Sequence, residues 1–404
     1  MTALRRLRRR GSDSADPEPA YLCFAAQDWW YHNQAHSDFQ LLRQIARTRR
    51  VLVVNSIGMR MPTPGRTTQP WRRVARKLRS VARLVRAPLP DTPDFHVMSP
   101  LAVPVFGRPW VERANAASIA LQVRLAMAFL GIRRPVAVVT LPTAEPVLDR
   151  LRLSTVVANR SDKHSMFAEA DGSVIAGFEA RLLRRADRVI YSSHALMDDE
   201  ASSSAGKAVF VDHGVDAEHF VRRPPQDEPA DLRAIPHPRV GFFGAVDDLV
   251  DVGLLEELAA QRPDVHLVVV GSVTVPVGSL TSSPNVHLLG FRPYSEIPAY
   301  GSGLDVALMP WKTNEWIRLC NPIKLKEYLA LGLPVVSTPF PELEHYRDVV
   351  RVASGPTAFV AAVGDALSDP GGEPARADRR ARVAGITWAR QAELLRQLCE
   401  TPPA

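Results

Sequence analysis

Apolar residues along the chain form short runs of Val, Leu and Ile that alternate with longer stretches of helical periodicity. Runs of four to six apolar residues bounded by turn residues are typical of buried strands. In the first half, strands are predicted near Tyr21–Ala26, Arg50–Asn55, Phe95–Met98, Val136–Leu141, Thr155–Asn159, Arg188–Ser192 and Ala208–Asp212. In the second half, they are predicted near Arg239–Phe243, Val265–Val270, Val286–Leu289, Asp305–Met309 and Pro334–Ser337.

Helical stretches separate these strands. In the first half they are predicted at about 34–48, 71–86, 112–130, 173–186 and 194–202. Strands that alternate with helices form parallel sheets covered on both faces. The sequence therefore predicts an α/β protein with two Rossmann-like doubly wound domains that face each other across a cleft, where ligands bind at the carboxyl ends of the strands.

The domain boundaries follow from composition. The segment 221–238, VRRPPQDEPADLRAIPHP, is rich in proline and charge, which is typical of a linker. It separates an N-terminal Rossmann-like domain, 19–220, from a C-terminal Rossmann-like domain, 239–374. Residues 1–18 are predicted to be a disordered basic tail.

Length and cysteine content are typical of a large cytoplasmic enzyme. A chain of 404 residues exceeds one ordinary hydrophobic core. Its three cysteines, Cys23, Cys320 and Cys399, have no metal-ligand spacing and indicate reduced thiols. No apolar run approaches the roughly 18–20 residues that cross a bilayer, and the arginine-rich start has no apolar segment behind it.

Positive charge is concentrated in two places, although the formal net charge is only +7. Residues 1–10 contain five arginines, and residues 71–86, WRRVARKLRSVARLVR, contain seven cations and no acid. The second segment has one apolar helical stripe and a basic opposite face. This pattern favours either a helix on the anionic inner face of the plasma membrane or a core helix of its own domain. It does not favour nucleic acid as a partner, because no aromatic residues are interleaved to stack on bases.

The segment 321–337, NPIKLKEYLALGLPVVS, combines a well-specified helix start with candidate ligand-binding side chains. Asn321 is predicted to be the N-cap, with proline at the first helical position after it. Lys324 in the first turn, beside free backbone amides, can bind phosphate. Glu327 on the same side can accept hydrogen bonds from sugar hydroxyls. The alternative is an ordinary turn with a surface ion pair.

Several strings resemble, in order, those of GT-B-fold nucleotide-sugar glycosyltransferases. They are VVANRSDKHSMF (156–167), FEARLLRRADRVIYSSHAL (178–196), VDHGVD (211–216), VGFFGAV (240–246), NVHLLGFRPYSEIPAYGSGLDVALMPW (285–311) and the 321–337 segment itself. The chain resembles most the retaining group that includes teichuronic-acid-type polymer glycosyltransferases. Such enzymes often have a final helix that returns to the first domain, a position that residues 375–404 would fill here.

The resemblance implies a donor site on the second domain. Glu327 matches the second glutamate of a paired motif that holds the nucleotide ribose. The first glutamate of the motif is missing, because its position is occupied by Leu319 in this chain. Glu315 is a possible replacement for it. Gly244 would allow backbone amides to approach the diphosphate. Relatives have cations just after that glycine, but this chain has AVDDLVD there. Lys324, Arg318 and Arg292 are the candidates to supply the missing charge.

The carboxyl ends of the first-domain strands carry the candidate acceptor residues. Asp162 matches a family aspartate and is the candidate catalytic residue, with helix N-capping as the alternative. His164 is a weaker acceptor-binding candidate. In the loop 27–36, Asp28, His32 and His36 could contact the acceptor. Trp29 and its two aromatic neighbours are interpreted as exposed stacking surfaces for a sugar ring.

These residues predict transfer of a sugar from a nucleoside diphosphate sugar to a hydroxyl on a glycan, glycolipid or lipid-linked acceptor. Resemblance implies retention of anomeric configuration. We expect no metal and no cofactor other than the donor, because the helix amides and Lys324 can stabilise the leaving diphosphate. Two alternatives stay open, a nucleotide-sugar epimerase of the same fold and a non-catalytic membrane-associated scaffold.

Overall fold

The structure is a computed structural model. It describes residues 18–30, 36–58, 85–102, 108–167, 171–368 and 371–400. The predicted basic helix 71–86 falls outside these residues except for its last two positions, and His32 falls outside them too. No helix of the described chain is long and apolar enough to cross a membrane.

The first domain is built on a seven-stranded parallel sheet with the strand order β3-β2-β1-β4-β5-β6-β7. Its strands, except for the partly exposed edge strand β7, are largely apolar and buried on both faces, as expected for a parallel sheet covered by helices. They are β1 Tyr21–Phe24, β2 Val51–Val54, β3 Phe95–Met98, β4 Val136–Val139, β5 Thr155–Arg160, β6 Arg188–Tyr191 and β7 Ala208–Phe210.

The second domain repeats this order in a six-stranded parallel sheet, β10-β9-β8-β11-β12-β13. In each sheet the strand order reverses next to the first strand of the domain, so a ligand crevice is expected beside β1 and beside β8. The strands are β8 Arg239–Phe243, β9 His266–Val270, β10 Val286–Leu288, β11 Val306–Met309, β12 Val335–Ser337 and β13 Val350–Val352.

Helices cover both faces of the two sheets. In the first half they are α1 Ser37–Ile45, α2 Pro109–Leu130, α3 Glu145–Leu148, α4 Gly172–Arg185 and α5 His194–Asp199. In the second half they are α6 Ala230–Arg233, α7 Val252–Gln261, α8 Ile297–Ser302, α9 Glu315–Arg318, α10 Ile323–Ala330, α11 Pro356–Ser368, α12 Gly372–Ala384 and α13 Trp388–Glu400. Short 3₁₀ segments include Pro142–Ala144, His164–Met166, Pro225–Asp227, Gly278–Thr281, Tyr294–Glu296 and Pro341–Tyr346.

The C-terminal helix α13 packs against α1 of the first domain. Trp388 and Leu395 are buried there, in the hydrophobic cluster that also contains β1 and β2. At its far end, Arg49 forms an ion pair with Glu400 at 3.1 Å. By contrast, α12 packs on α10 of the second domain. The last two helices therefore contact different domains.

The predicted architecture of two doubly wound domains is confirmed, and each of the twelve predicted strands is present. The sequence analysis missed one strand, β13, whose sequence is VRV. The charged residue at its centre, Arg351, interrupts the apolar run, so the pattern gives no clear strand signal there. This strand exists because it extends the edge of a sheet already formed by β11 and β12.

Candidate active site at the domain interface

Helix α10 places two of the predicted donor-site residues beside the crevice at β8. Gly244 follows β8 with a φ of +145°, a conformation that side chains rarely adopt. A Cβ atom there would lie 2.3 Å from Cε and 3.1 Å from Nζ of Lys324. The absence of a side chain at Gly244 thus leaves the space that the lysine occupies. Glu327 lies about one turn further along α10 and is buried.

The start of α10 differs from the prediction. The N-cap is Pro322, and no side chain caps the helix, so the assignment of Asn321 as N-cap is wrong. Asn321 points to the first domain instead, where its Nδ2 donates to the carbonyl of Ser192 at 2.6 Å and to Asp212 at 2.8 Å. Because the amide is used between domains, the first turn of α10 keeps backbone N–H groups without a side-chain cap. The helix end is as predicted, with Gly332 at a φ of +74° after it.

Glu327 has an acidic neighbour that the sequence analysis did not identify. Burial raises the pKa of Glu327 to about 7, the charge of Lys324 opposes this shift, and Asp216 adds to it. Asp216 belongs to the string VDHGVD, for which no role had been assigned. Tyr294 is a neighbour of both acids. Burial raises the pKa of its hydroxyl, and the charges of Glu327 and Asp216 raise that pKa further. A carboxyl group that titrates near neutrality, beside a lysine, is typical of a functional site.

Asp162 lies on the first-domain side of the interface and does not cap a helix. The N-cap of α4 is Asp171, whose side chain accepts from Val174, and the N-cap of the 3₁₀ turn at 164–166 is Lys163. The alternative assignment of Asp162 as a capping residue is therefore wrong. Burial raises the pKa of Asp162 to about 7, with the charge of Asp38 as the second cause.

Asp38 is a buried carboxylate at the start of α1, which the sequence analysis did not identify. It accepts hydrogen bonds from Thr140 Oγ1 at 2.7 Å, Asn159 Nδ2 at 3.0 Å and the backbone N–H of Ala26 at 3.2 Å. Burial raises its pKa, and these three donors oppose that shift. The hydrogen bonds favour the charged form of Asp38, whose charge in turn favours the neutral form of Asp162.

Cys320 lies near charged groups of both domains. Burial raises the pKa of its thiol, the charge of Asp162 raises it further, and the charge of Lys324 lowers it. The thiol thus lies near a first-domain carboxyl and a second-domain ammonium group at once. Asp162 of the first domain and Lys324 of the second therefore both lie close enough to Cys320 to change the pKa of its thiol.

Other predicted donor residues are engaged elsewhere. Leu319, at the position of the missing motif glutamate, packs in the hydrophobic core of the first domain. Glu315 is exposed and pairs with Arg318, which also contacts Asp199 of the first domain at 3.0 Å. Arg292 donates to Tyr300 Oη at 2.6 Å and to Asp231 at 2.6 Å. These contacts reduce the positive charge that either arginine offers to a diphosphate.

The predicted acceptor loop after β1 is only partly as expected. Trp29 is buried, with its ring 5.1 Å from that of Phe39 and 4.9 Å from that of Phe95. The interpretation of Trp29 as an exposed stacking surface is therefore wrong. Asp28 is also buried and accepts from the backbone N–H of Trp30 at 3.0 Å.

The two histidines of the acceptor prediction have different surroundings. His36 is half-buried at the N-cap of α1. His164 is almost fully buried, and its Nδ1 has no hydrogen-bond partner. Burial lowers the pKa of His164 to about 4, and the charge of Arg160 contributes. His164 is therefore neutral at physiological pH and lies two residues from Asp162.

One group of possible metal ligands lies in the described part of the chain. His194, Glu342 and His345 hold ligand atoms within 4.8 Å of one another. Glu342 also accepts a hydrogen bond from the backbone N–H of His194, which begins α5 in the first domain. The group lines a cavity of about 220 Å³ whose lining does not include Lys324 or Glu327. The hydrogen bond from His194 to Glu342 connects the two domains, and the group lies apart from the predicted donor residues.

The chain is similar to known proteins in sequence and in fold. Residues 237–369 match the family described as "Glycosyl transferases group 1". The chain is 29% identical over 231 residues to the protein described as "Putative teichuronic acid biosynthesis glycosyltransferase TuaH" of Bacillus subtilis (strain 168). That match covers 54% of this chain and 58% of the relative, so the chain spans somewhat over half the length of the curated relative it matches.

Solved structures show the same fold over nearly the whole chain. Sucrose-phosphate synthase from Thermosynechococcus elongatus is 17% identical, with a TM-score of 0.70, and the match covers 94% of this chain and 98% of that one. HepE of Anabaena in complex with UDP and glucose is 14% identical, with a TM-score of 0.66, and the match covers 95% and 100%. The catalytic domain of starch synthase IV from Arabidopsis thaliana, bound to ADP and acarbose, is 9% identical, with a TM-score of 0.64 and 95% and 99% covered. The chain therefore has the two-domain GT-B fold, and its residues 237–369 are similar to the glycosyl transferases group 1 family.

Proposed function

We propose that this protein is a glycosyltransferase that moves a sugar from a nucleoside diphosphate sugar to a hydroxyl group of a glycan or lipid-linked acceptor. The observation that carries the proposal is the meeting of Gly244, Lys324 and Glu327 beside β8, opposite Asp162. The names of the similar proteins, which include a complex with UDP and glucose, support the same class of donor.

The donor diphosphate would bind at the start of α10. There, the uncapped backbone N–H groups, the positive end of the helix dipole and Lys324 favour negative charge. As the bond between the anomeric carbon and the diphosphate breaks, negative charge grows on the phosphate, and these groups stabilise it. Glu327 would accept hydrogen bonds from the donor hydroxyls, the ribose being the hydroxyl pair that the resemblance implies.

Asp162 would act on the acceptor side. A carboxyl group with a pKa of about 7 is poised to exchange a proton with the attacking hydroxyl near neutral pH. Its charged form also stabilises the positive charge that develops on the sugar ring. The predicted retention of configuration belongs to this proposal and is tested by the anomeric configuration of the product.

An acceptor attached to lipid would place the enzyme on the inner face of the plasma membrane. The basic segment 71–86 is one proposed contact, although most of it lies outside the described residues. The role of that segment stays a prediction.

The test is a calorimetric panel of nucleotide sugars, followed by transfer assays with and without acceptor. We expect one nucleoside diphosphate sugar to bind, and Lys324→Ala and Glu327→Ala each to weaken binding by about 10- to 100-fold, since a hydrogen bond to a charged group contributes about 1.5–3 kcal/mol. Lys207→Ala, at a first-domain lysine that bonds the carbonyl of Arg184, is the matched control. Donor affinity that is equal in all variants would refute the assignment. Product formation without acceptor would indicate an epimerase.

A further inference from the structure

Helix α2 is apolar on two opposite faces. Its inner face is buried in the core of the first domain through Ile119, Val123, Ala126 and Met127. A surface helix of a globular protein normally presents polar residues on the face away from the core. Here that outer face is apolar as well, so the exposure of its apolar side chains needs an explanation.

The outer face carries four large apolar side chains. Trp110 is 68% exposed, Leu121 50%, Leu125 63% and Phe129 80%. At 100° per residue, the four positions fall within about 100° of one another around the helix axis. Eight large apolar residues are exposed in the described parts of the chain, and half of them lie on this one helix. Such a concentration marks an interaction surface.

Exposed arginines border this apolar face. Arg113 and Arg124 lie on one side of it along the helix, and Arg133 and Arg134 follow its C-terminal end. The only acid on α2 is Glu112, which is half-buried. Apolar side chains flanked by uncompensated cations complement a surface with an apolar interior and anionic headgroups.

A second copy of the chain fits this face less well. In a two-fold symmetric dimer the same patch would face itself, which would bring the arginines of the two copies together without acids to pair them. The charge pattern therefore favours a lipid surface over self-association.

The connectivity of the domain orients this surface relative to the cleft. Helix α2 follows the carboxyl end of β3 and ends five residues before the amino end of β4. Its first turn, with Trp110, therefore lies toward the side of the sheet where the strand ends face the domain interface. A bilayer against α2 would lie beside the cleft that holds Asp162.

We propose that the outer face of α2 docks the first domain on an anionic membrane surface. The apolar side chains insert among the acyl chains just below the headgroups, and the arginines contact the lipid phosphates. The choice of a lipid-linked acceptor rests on the proposed function, whereas the docking itself does not.

The experiment measures co-sedimentation of the full chain with vesicles of phosphatidylglycerol and phosphatidylcholine in equal parts, and of phosphatidylcholine alone. We expect binding to the anionic vesicles that weakens as salt rises, because screening reduces the attraction of each arginine. The triple variant Leu121→Gln/Leu125→Gln/Phe129→Gln should bind at least tenfold more weakly. Arg113→Gln/Arg124→Gln should lose the preference for anionic lipid.

Phe291→Gln is the matched control, because Phe291 is 66% exposed on the second domain. It should bind vesicles as the unchanged protein does. Circular dichroism and thermal unfolding confirm that each variant is folded, and donor affinity should be the same in all of them. An intact donor affinity with lost vesicle binding separates this proposal from the proposed function.

Three results would overturn the proposal. Vesicle binding by the triple variant equal to that of the unchanged protein would assign the membrane contact to another segment, such as 71–86. A dimer in solution that the triple variant converts to a monomer would make the face a protein interface. Absence of binding to anionic vesicles by the unchanged protein would equally refute docking.

Discussion

At the residue scale, two carboxyl groups have strongly raised pKa values, Asp162 on the first domain and Glu327 on the second. Burial is the main cause for both Glu327 and Asp162, and a second acid near each one adds to the effect. Asp216 plays this part beside Glu327, and Asp38 beside Asp162. A buried acid that is charged at pH 7 lowers the stability of the free protein. Functional sites commonly have this cost, because their charged groups are placed for binding or catalysis rather than for stability.

The titration of Glu327 makes the stability of the free protein depend on pH. Its pKa of about 7 in the folded protein exceeds the ordinary value of 4.5, so the folded state binds more protons than the unfolded state between these values. Stability should therefore fall as pH rises from about 4.5 to 7, by roughly 3 kcal/mol for this group. Glu327→Gln should show a smaller fall in melting temperature between pH 5 and 8 than the unchanged protein, with Glu257→Gln on the surface of α7 as control. Identical pH profiles for Glu327→Gln and the unchanged protein would contradict the shift.

Replacement of Asp162 tests its proposed action on the acceptor side. Asp162→Asn should lower turnover by about 10²- to 10⁴-fold, which is the range for general acid–base groups, while donor affinity changes little. Steady-state kinetics and calorimetry measure the two effects. Asp198→Asn, at an exposed aspartate of α5, is the control. Normal turnover in folded Asp162→Asn would return this residue to a structural role.

At the element scale, the donor site depends on how closely α10 approaches the end of β8. The strand ends at Phe243, just before Gly244, and the helix begins at Ile323. The lysine of the first helical turn fills the space over the glycine. Local sequence specified both elements, but the contact between them depends on the order of strands in the sheet. The helix lacks a side-chain cap because Asn321 is held by the other domain.

Gly244→Ala should displace Lys324 without unfolding the domain. The new Cβ would meet the flexible end of the lysine at 2.3 Å, and the φ of +145° adds strain of about 1 kcal/mol. Donor affinity should fall at least tenfold, as calorimetry would measure. Gly253→Ala is the control, since a Cβ at this helical glycine meets only Asp251 Oδ1 at 3.5 Å. Unchanged affinity in Gly244→Ala would argue against a bound diphosphate at this point.

At the scale of the whole molecule, buried polar groups connect the two domains behind the site. Lys326 is fully buried on α10 and pairs with Asp212 of the first domain at 2.9 Å, and it also donates to Asn321 at 2.9 Å. Burial lowers the pKa of Lys326, but the charge of Asp212 and its other partners raise it overall. The helix that carries Lys324 and Glu327 is thereby held to the first domain.

Removal of one partner should leave a buried charge without compensation. Asp212→Ala should destabilise the protein by about 3–5 kcal/mol, as measured by denaturant unfolding. The double variant Asp212→Ala/Lys326→Met should recover much of this loss, because it removes the unpaired ammonium group as well. A small effect of Asp212→Ala alone would show that water reaches Lys326.

The sequence by itself determined the elements of this protein. Parallel strands buried on both faces read as uninterrupted apolar runs, and turn residues marked their ends, so twelve strands and the repeated doubly wound architecture could be predicted. Lys324 and Glu327 were predicted as ligand-binding residues from the signal of a helix start, and Gly244 was predicted together with the family resemblance. The strand β13 lacked such a signal, since Arg351 at its centre interrupts the apolar run.

Only the tertiary structure decided which side chains are buried and which groups face one another across the domains. Trp29 lies in a loop, but its indole packs against rings from α1 and β3. Asn321 had the right residue type for a cap, but a stronger set of partners lies in the other domain. Asp38 and Asp216 are distant in sequence from the acids whose pKa values they raise. These outcomes depend on contacts between distant residues, whereas propensity and capping signals act over a few residues, so no local pattern could reveal them.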